Sequence, residues 1–339
     1  MDGSTTQLAD TRKNQTRYPQ PGSQKPGCGF PVMKYVALMS LTSGDILNVI
    51  LGNLHHHDLR LLRGLWDQLQ KGDILLGDRA YGEYTTLATG PPQGVDVIAR
   101  LHQRRKADFR KAQRLGKHDG LFVWTKGYQQ SPILSATEWA QLPAQITVRL
   151  IRFTAAIRGF RSRRITLVVT LLDPRLFPAQ DLIALYLRRW RMELCLRDLK
   201  TTMGMEALRC KTPAMAEKEL LAYLVAHNLI RGLIAEAITR YPMDLERVSF
   251  KGSVDALRQY SDVIAKARNQ KMRHQLWEDL LRNLTRDRVR YRPNRNEPRA
   301  VKRRPKPYPL LNQPRHRFVE ISHRSRYWKG RPRNYRGLN

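Results

Sequence analysis

Apolar and polar positions divide the first part of the chain into short segments of different period. Val32–Leu41 and Ile46–Leu51 are apolar runs separated by a Ser-Gly-Asp turn, which is typical of a β-hairpin. Asp58–Gln70 repeats its apolar residues at helical spacing and predicts a helix. Residues 1–31 are rich in Gly, Pro, Ser and Thr and predict loop.

The next segments predict a sheet covered by helices. Asp73–Gly77 and Val95–Ala99 are short buried strands by pattern, with a short helix over Tyr81–Thr89 between them. Residues 104–161 contain basic loops and stretches of period-two alternation, which indicate an antiparallel β insertion. Ile165–Leu172 predicts another buried strand. Alternating strands and helices of this kind favour an α/β fold.

Three long helices are predicted in the second half of the chain. They cover Ala179–Met203, Ala214–Arg240 and Ser253–Leu284. On the second helix, Tyr223 and His227 are interpreted as packing residues. The cluster His55–Asp58 is interpreted as a polar loop before a helix, because consecutive residues point in different directions and form a metal site only with a special turn.

Composition points to a polyanionic partner. The 339 residues include 61 Lys and Arg against 29 Asp and Glu, for a formal net charge of +32. Such an excess argues against an ordinary small-metabolite enzyme and favours nucleic acid as partner. The three cysteines are far apart in sequence and are expected to be reduced. No apolar run approaches a membrane span and no signal peptide is evident, so we expect no membrane partner and a cytoplasmic location.

Half of the charge excess lies at the carboxyl end. From residue 281 to 339 there are 19 Lys and Arg against three acids, with Pro, Tyr and Trp interleaved. We expect an extended, partly disordered arm that neutralises phosphates. The alternative is a solvated tail that only aids solubility.

Two carboxylates stand in informative positions. Asp78 follows an apolar strand in LLGDRAYG, where α/β folds place their chemistry, although a loop Asp also commonly caps the next helix. On the predicted helix after residue 178, Tyr186, Arg189, Glu193 and Lys200 fall within roughly 60° of one another, with Arg197 beside them. The alternative is a solvated charged face with weak i,i+4 ion pairs.

These features together fit phosphoryl transfer on a nucleic acid. That chemistry needs several carboxylates around a pair of divalent cations, with basic groups holding the backbone. Further acids, Asp2 and Asp10, stand near the beginning of the chain.

The motifs resemble a known family. Asp2-Gly-Ser-Thr, Asp78 in GDRAYG and the string Tyr186, Arg189, Glu193, Lys200 at spacings of 3, 4 and 7 resemble the DDE transposases of insertion-sequence family four. Similar stretches run from Asp2 to about Leu311. The resemblance implies an α/β fold with a ribonuclease-H-like core, interrupted by a β-strand insertion and followed by C-terminal helices and a basic tail. The implied boundaries are 1–103 and 165–240 for the core, 104–164 for the insertion, 241–285 for the helical region and 286–339 for the DNA-binding tail.

The resemblance also implies a function and a set of roles. The chain would be a transposase that cleaves and joins DNA at the ends of an insertion sequence, as at least a dimer on transposon-end and target DNA in the bacterial nucleoid. Asp2, Asp78 and Glu193 would bind two Mg²⁺ or Mn²⁺ ions. The DNA contacts would come from Tyr186, Arg189 and Lys200, with Arg197 beside them. Trp124 is the candidate platform for an unstacked base, with a buried β-strand tryptophan as the alternative.

One departure from the family pattern changes the expectation for activity. Asp2 comes one residue after Met1, so the strand that ends at this Asp in relatives is missing. We therefore expect Asp2 to be poorly held and the chain to be inactive or weakly active as it stands. Two rival hypotheses are a truncated, non-catalytic DNA-binding inhibitor and a basic RNA-binding protein.

Overall fold

The computed structural model describes residues 1–56, 58–155 and 163–289, together with 313, 314 and 317. These residues form a mixed α/β structure with two sheets and flanking helices. The predicted basic tail lies almost entirely outside the described residues, so its predicted extended character stays a prediction.

The first sheet has three antiparallel strands. They are β1 (Asp2–Gln7), β2 (Val32–Met39) and β3 (Ile46–Gly52), in the order β1-β2-β3. The predicted hairpin is confirmed as β2 and β3. The prediction of loop over residues 1–31 is wrong at β1 and at helix α1 (Arg12–Arg17). The strand β1 is polar in sequence, but it is bonded along its whole length to β2, and its buried Thr6 donates to the carbonyl of Met205 (2.7 Å).

The second sheet has six strands in the order β4-β5-β9-β8-β7-β6. Among the strands that the structure describes in this sheet, only β4 and β5 pair in parallel. The predicted antiparallel character of the insertion is confirmed, and its strands hydrogen-bond in one sheet with β4 and β5. The bounds are β4 (Ile74–Gly77), β5 (Asp96–Arg100), β6 (Gln113–Gly116), β7 (Asp119–Thr125), β8 (Gln145–Ala155) and β9 (Arg163–Val169).

Most of the remaining described helices are shorter than the sequence pattern predicts. They are α2 (Asp58–Arg63), α3 (Tyr84–Thr89), α4 (Ala136–Gln141), α5 (Ala179–Leu187), α6 (Trp190–Arg197), α7 (Pro213–Arg240), α8 (Phe250–Ala265) and α9 (Gln270–Arg286).

Local backbone chemistry explains the breaks. The helix predicted over Asp58–Gln70 ends before Gly64, because glycine weakens a helix interior. The helix predicted over Ser253–Leu284 is split where Asn269 caps α9 with extended backbone, accepting a hydrogen bond from the Met272 amide. The helix predicted over Ala179–Met203 is split at Arg188 and Arg189 and ends in a π turn.

A buried arginine fixes the turn that leads into α5. The Arg149 side chain is fully buried on β8 and forms two hydrogen bonds to the Asp119 carboxylate on β7 (2.8 and 2.5 Å). Its third hydrogen bond goes to the carbonyl oxygen of Phe177 (2.7 Å), just before α5 begins. The Arg149 and Asp119 charges therefore neutralise each other, and the guanidinium has hydrogen-bond partners. The bond to Phe177 fixes the position at which α5 begins against the second sheet.

The helix α7 confirms its predicted bounds to within a residue. By length and composition alone it would pass for a membrane span. Core helices of soluble proteins meet the same test, and here Leu220, Leu224 and Ile234 are buried against the rest of the molecule. The opposite side of α7 is exposed at Met215, Leu221, Val225 and Leu229.

His227 on α7 is a fully buried imidazole in this core, as its interpretation as a packing residue expects. Its Nε2 lies 3.5 Å from the Cys195 sulfur, and its ring stacks against Phe250 at a centroid distance of 5.0 Å. Burial, assisted by the nearby Arg231 charge, lowers the His227 pKa to about 4. The folded protein therefore holds this side chain neutral.

We predict that stability falls with acidification through His227. The unfolded imidazole binds a proton near pH 6.5 and the folded one near pH 4, so the stabilisation is complete above pH 6.5 and declines toward pH 4. Between pH 7 and pH 5 the loss is about 2 kcal/mol. Urea unfolding across this range should show that loss in the wild type but not in His227→Gln. The exposed His274→Gln is the control, and an unchanged pH dependence in His227→Gln would contradict the assignment.

Candidate active site

Asp2 is held by hydrogen bonds on both sides of its strand. It opens β1 opposite Ala37 of β2. On the other side, the amino nitrogen of the buried Met1 donates to the carbonyl oxygen of Leu76 on β4 (3.1 Å), and the Asp2 carboxylate accepts from the Gly3 amide (2.9 Å). The expectation that Asp2 is poorly held is therefore wrong, because Asp2 is the first residue of the paired strand β1. The expectation that the chain is inactive or weakly active stays a prediction.

The same contact brings Asp2 and Asp78 to one edge. Leu76, the partner of Met1, lies two residues before Asp78, which follows the last residue of β4. The Asp78 side chain also caps the 3-10 turn Arg79–Tyr81 by accepting from the Ala80 amide (2.7 Å). The structure thus shows Asp78 both at the end of a strand and as the cap of a turn, whereas its catalytic role stays a prediction.

Glu193 is linked to Asp2 by the Arg189 side chain, which contacts both carboxylates. The Arg189 guanidinium donates to the Glu193 carboxylate (2.7 Å) and lies 3.6 Å from the Asp2 carboxylate. Arg189 stands at the junction of α5 and α6, where its own amide bonds three residues back to Tyr186 and tightens the helix. The i,i+4 pair expected on a solvated face is present, but its arginine is largely buried and has a second carboxylate partner.

The electrostatics around Asp2 reflect burial first and the neighbouring charges second. Burial raises the Asp2 pKa, the Arg189 charge opposes this, and the Asp78 charge raises it further. Burial alone would lower the Arg189 pKa, but Tyr186 and Glu193 together with Asp2 raise it above its usual value. Carboxylates held near one another favour a cation between them.

The other predicted DNA-contact residues are placed at different distances from this centre. Tyr186 is buried beside Arg189, whose guanidinium lies 6.0 Å from the ring centroid, and burial raises the Tyr186 pKa. Lys200 lies in the π turn Asp198–Thr202, where burial lowers its pKa and Glu206 opposes this. Arg197 pairs with Asp198 and is mostly exposed. The structure therefore groups Tyr186 with the acids, whereas the contacts of Lys200 and Arg197 go to other residues.

Trp124 lies in the core cluster of the second sheet. It is 8% exposed on β7, and the Arg105 guanidinium stacks 3.9 Å from its ring centroid. This burial favours the alternative of a structural β-strand tryptophan. Base stacking at Trp124 stays a prediction, and it requires Arg105 to leave the ring.

Two residues that lie beside the acids were not predicted from the sequence as residues of the site. The Asp58 carboxylate pairs with Lys34 (2.5 Å) and packs against Gly3, where an added Cβ would lie 3.3 Å from it. Tyr81, three residues after Asp78, is buried in the same apolar cluster as Met1. In the sequence, Asp58 stands at the start of a helix and Tyr81 within GDRAYG, but the spacing of neither residue indicates that it lies close to Asp2.

The acids do not form a ready-made metal cluster as they stand. Within the described ranges, no three His, Cys, Asp or Glu side chains stand close enough together to hold a metal ion. The cation among the acids is instead the Arg189 guanidinium, which contacts both Asp2 and Glu193.

Comparisons with known proteins identify the family to which the chain is similar. A family model for the transposase DDE domain matches residues 1–229. The transposase InsG for insertion sequence element IS4 of Escherichia coli (strain K12) is 27% identical over 233 residues, which cover 68% of this chain and 50% of that protein. The chain thus spans about half the length of this relative.

A structural likeness is weaker. The cryo-EM structure of a piggyBac transposase synaptic complex with hairpin DNA matches with a TM-score of 0.42 and 7% identity, over 84% of this chain and 52% of that chain. That similarity is too low to establish a common fold. The family model, by contrast, covers about two thirds of the chain and includes Asp2, Asp78 and Glu193, and the chain therefore belongs to the transposase DDE domain family.

Proposed function

We propose that this chain is a DNA transposase of the IS4 type, acting in the bacterial cytoplasm on the ends of its element and on target DNA. Its core would be ribonuclease-H-like, with the sheet β3-β2-β1 continuing into β4 and β5 through the Met1 contact. The observation that carries the proposal is the ion-pair bridge from Asp2 through Arg189 to Glu193, beside Asp78. A solvated surface helix would give Arg189 no second carboxylate from a strand 187 positions away.

The donor set fits Mg²⁺ or Mn²⁺. Asp2, Asp78 and Glu193 offer only carboxylate oxygens, the ligands that these hard cations prefer. Burial raises the Asp2 pKa and the Asp78 charge raises it further, and a cation bound between the two acids would favour their charged forms. Two such cations would supply an activated nucleophile and stabilise the leaving oxygen in phosphodiester cleavage.

The protein's own groups would position the DNA. Arg189 packs against the Tyr186 ring. Its guanidinium would turn from the carboxylates to a phosphate group, because the planar fork suits bidentate binding of phosphate oxygens. Lys200 would hold a second phosphate from the π turn. Such positioning and charge stabilisation carry most of the catalysis in phosphoryl transfer.

Synapsis of two element ends needs a second copy, and α7 offers a surface for it. Its exposed residues 215, 218, 222, 225, 229 and 232 alternate spacings of three and four, the seam spacing of paired helices. Of these six residues only Lys218 is charged, although the whole chain carries a net charge of +32. A surface with so little positive charge is poorly suited to binding DNA.

We propose that two copies of α7 pack antiparallel. A parallel pair would set Lys218 against its copy, whereas an antiparallel pair sets it against Leu229 and brings Lys211 toward Glu236 of the other copy. Val225, which is 59% exposed, would then pack on Ala222 near the centre of the pair.

The first prediction concerns exchange between Arg189 and the cation. Removing the guanidinium in Arg189→Gln leaves repelling carboxylates and should lower the free energy of unfolding by about 1–2 kcal/mol without divalent cation, allowing for solvent screening. Added Mg²⁺ should stabilise this variant more than the wild type. Urea unfolding with and without Mg²⁺ measures both, with Arg240→Gln as control because Arg240 forms its i,i+4 pair with Glu236 on the surface. Equal stabilisation of both proteins would refute the exchange.

The second prediction concerns cleavage. Linear DNA carrying the ends of the element should be cut only with Mg²⁺ or Mn²⁺. Asp78→Asn and Glu193→Gln should each lower the rate at least about a hundredfold while DNA binding persists. Glu278→Gln is the matched control, since Glu278 on α9 is also half of an Arg–Glu pair between helices and lies outside the proposed seam.

The rival hypotheses predict other outcomes of the same assay. A non-catalytic DNA-binding inhibitor would bind the ends without metal-dependent cleavage. An RNA-binding protein would bind structured RNA as tightly as duplex ends. Either result would overturn the proposal.

The third prediction tests self-association. Leu229→Lys and Val225→Lys should convert a dimer to a monomer, because each would bury an unpaired charge in the seam. Val263→Lys, on the exposed side of α8, should leave the dimer intact. Light scattering during gel filtration gives the mass. A monomeric wild type, or variants that remain dimeric, would rule out this surface.

A further inference from the structure

The buried hydroxyl of Tyr81 lacks a partner in the structure. The side chain is 1% exposed, and its oxygen makes no hydrogen bond within the described residues. A buried polar group without a partner costs stability, and native proteins keep one chiefly where it serves a site. Nothing in the phosphate-binding roles described above uses this hydroxyl.

Tyr81 is fixed against the end of β4. It closes the 3-10 turn that Asp78 caps, and its Cβ packs so near Gly77 that a Cβ added there would lie 2.5 Å away. Any larger residue at 77 would displace the ring. The ring also shares a buried cluster with Met1, the residue that links β1 to β4. Tyr81 therefore lies where the strands that carry Asp2 and Asp78 meet.

The surrounding charges keep the phenol protonated. Burial raises the Tyr81 pKa above its usual range, and the charges of Asp58, Asp78 and Asp2 raise it further, against the opposing effect of Arg189. Three carboxylates thus lie within electrostatic reach of one donor. Asp58 pairs with Lys34 and is not among the proposed metal ligands, so Asp2 and Asp78 are the acceptors of interest.

Tyr84, in the next helix, shows the contrasting case. It is also buried, but its hydroxyl donates to the carbonyl oxygen of Pro143 (2.7 Å). Its hydrogen bond belongs to the packing of α3 on the segment after α4. The two tyrosines are three residues apart and differ in whether the hydroxyl is already used.

We propose that Tyr81 is a positioning residue of the metal centre: with a divalent cation bound, its hydroxyl, which has no hydrogen-bond partner among the described residues, would donate a hydrogen bond to the carboxylate pair Asp2 and Asp78 and orient it toward the cation. This inference rests on the proposed function. Partners that orient metal ligands from behind typically change metal affinity 10- to 100-fold. Tyr81 would hold the two acids from the protein side, whereas Arg189 contacts Asp2 and Glu193 only until the cation arrives.

The test is Mn²⁺ binding by isothermal titration calorimetry to the full chain. Tyr81→Phe removes the hydroxyl alone and should raise the Mn²⁺ dissociation constant about tenfold. Tyr84→Phe should leave that constant unchanged. Thermal unfolding without metal separates the two roles further. Its midpoint should fall in Tyr84→Phe, which loses a made hydrogen bond, but not in Tyr81→Phe, which loses none.

The outcomes distinguish this inference from the function on which it rests. A wild type that binds no Mn²⁺ would overturn the metal centre itself. Tight binding by both wild type and Tyr81→Phe would overturn only the role of Tyr81. A midpoint lowered in Tyr81→Phe without metal as much as in Tyr84→Phe would show a packing role and overturn it as well.

Discussion

Carboxylates that must share a cation repel one another until that cation arrives, and in this protein the Arg189 guanidinium meets that constraint. It binds Glu193 and lies within ion-pair distance of Asp2, and both acids belong to different elements of the chain. Because the site is partly buried, these interactions are stronger than they would be in water. The guanidinium is a positive charge that the protein carries itself, so the acids can be kept together without being assembled into a closed metal site.

The backbone around the acids depends on a small number of contacts. The strand β1 is bonded to β2 on one side, while on the other side Met1 reaches Leu76 and Gln7 bridges to Ala207. Asp2 gains a fixed position from this double pairing, although its strand is short and polar. At the other end of the bridge, Arg189 is placed by the tightened junction of α5 and α6, and Tyr186 supports it from below. The site therefore connects the two sheets rather than lying within either one.

The sequence pattern correctly predicted the helices and strands that are determined by their own residues rather than by distant partners. The hairpin of β2 and β3 and the long helix α7 have strong periodicity, and Asp78 and Glu193 stand in motifs that point to chemistry. The strand β1 was missed because Asp2–Gln7 is polar, and its structure comes from partners about 30 and 200 positions away. The π turn at Lys200 was missed because an ideal helix was assumed. Tyr81 and Asp58 were missed because their relation to Asp2 exists only once the two sheets meet.

Under the proposed function, the bridge would also set the order in which the metal ion and DNA bind. Phosphates brought up by the basic surface would meet Asp2, Asp78 and Glu193 as like charges, so the carboxylates need a cation before DNA can settle against them. If these acids bound a divalent cation, the Arg189 guanidinium would be freed from them and would lie unpaired beside the site. A freed guanidinium suits a phosphate better than any other side chain, because its fork is planar and permanently charged. In the proposed function, metal binding and DNA binding would thus be coupled through one residue, and the cation should bind more tightly when DNA is present to receive Arg189.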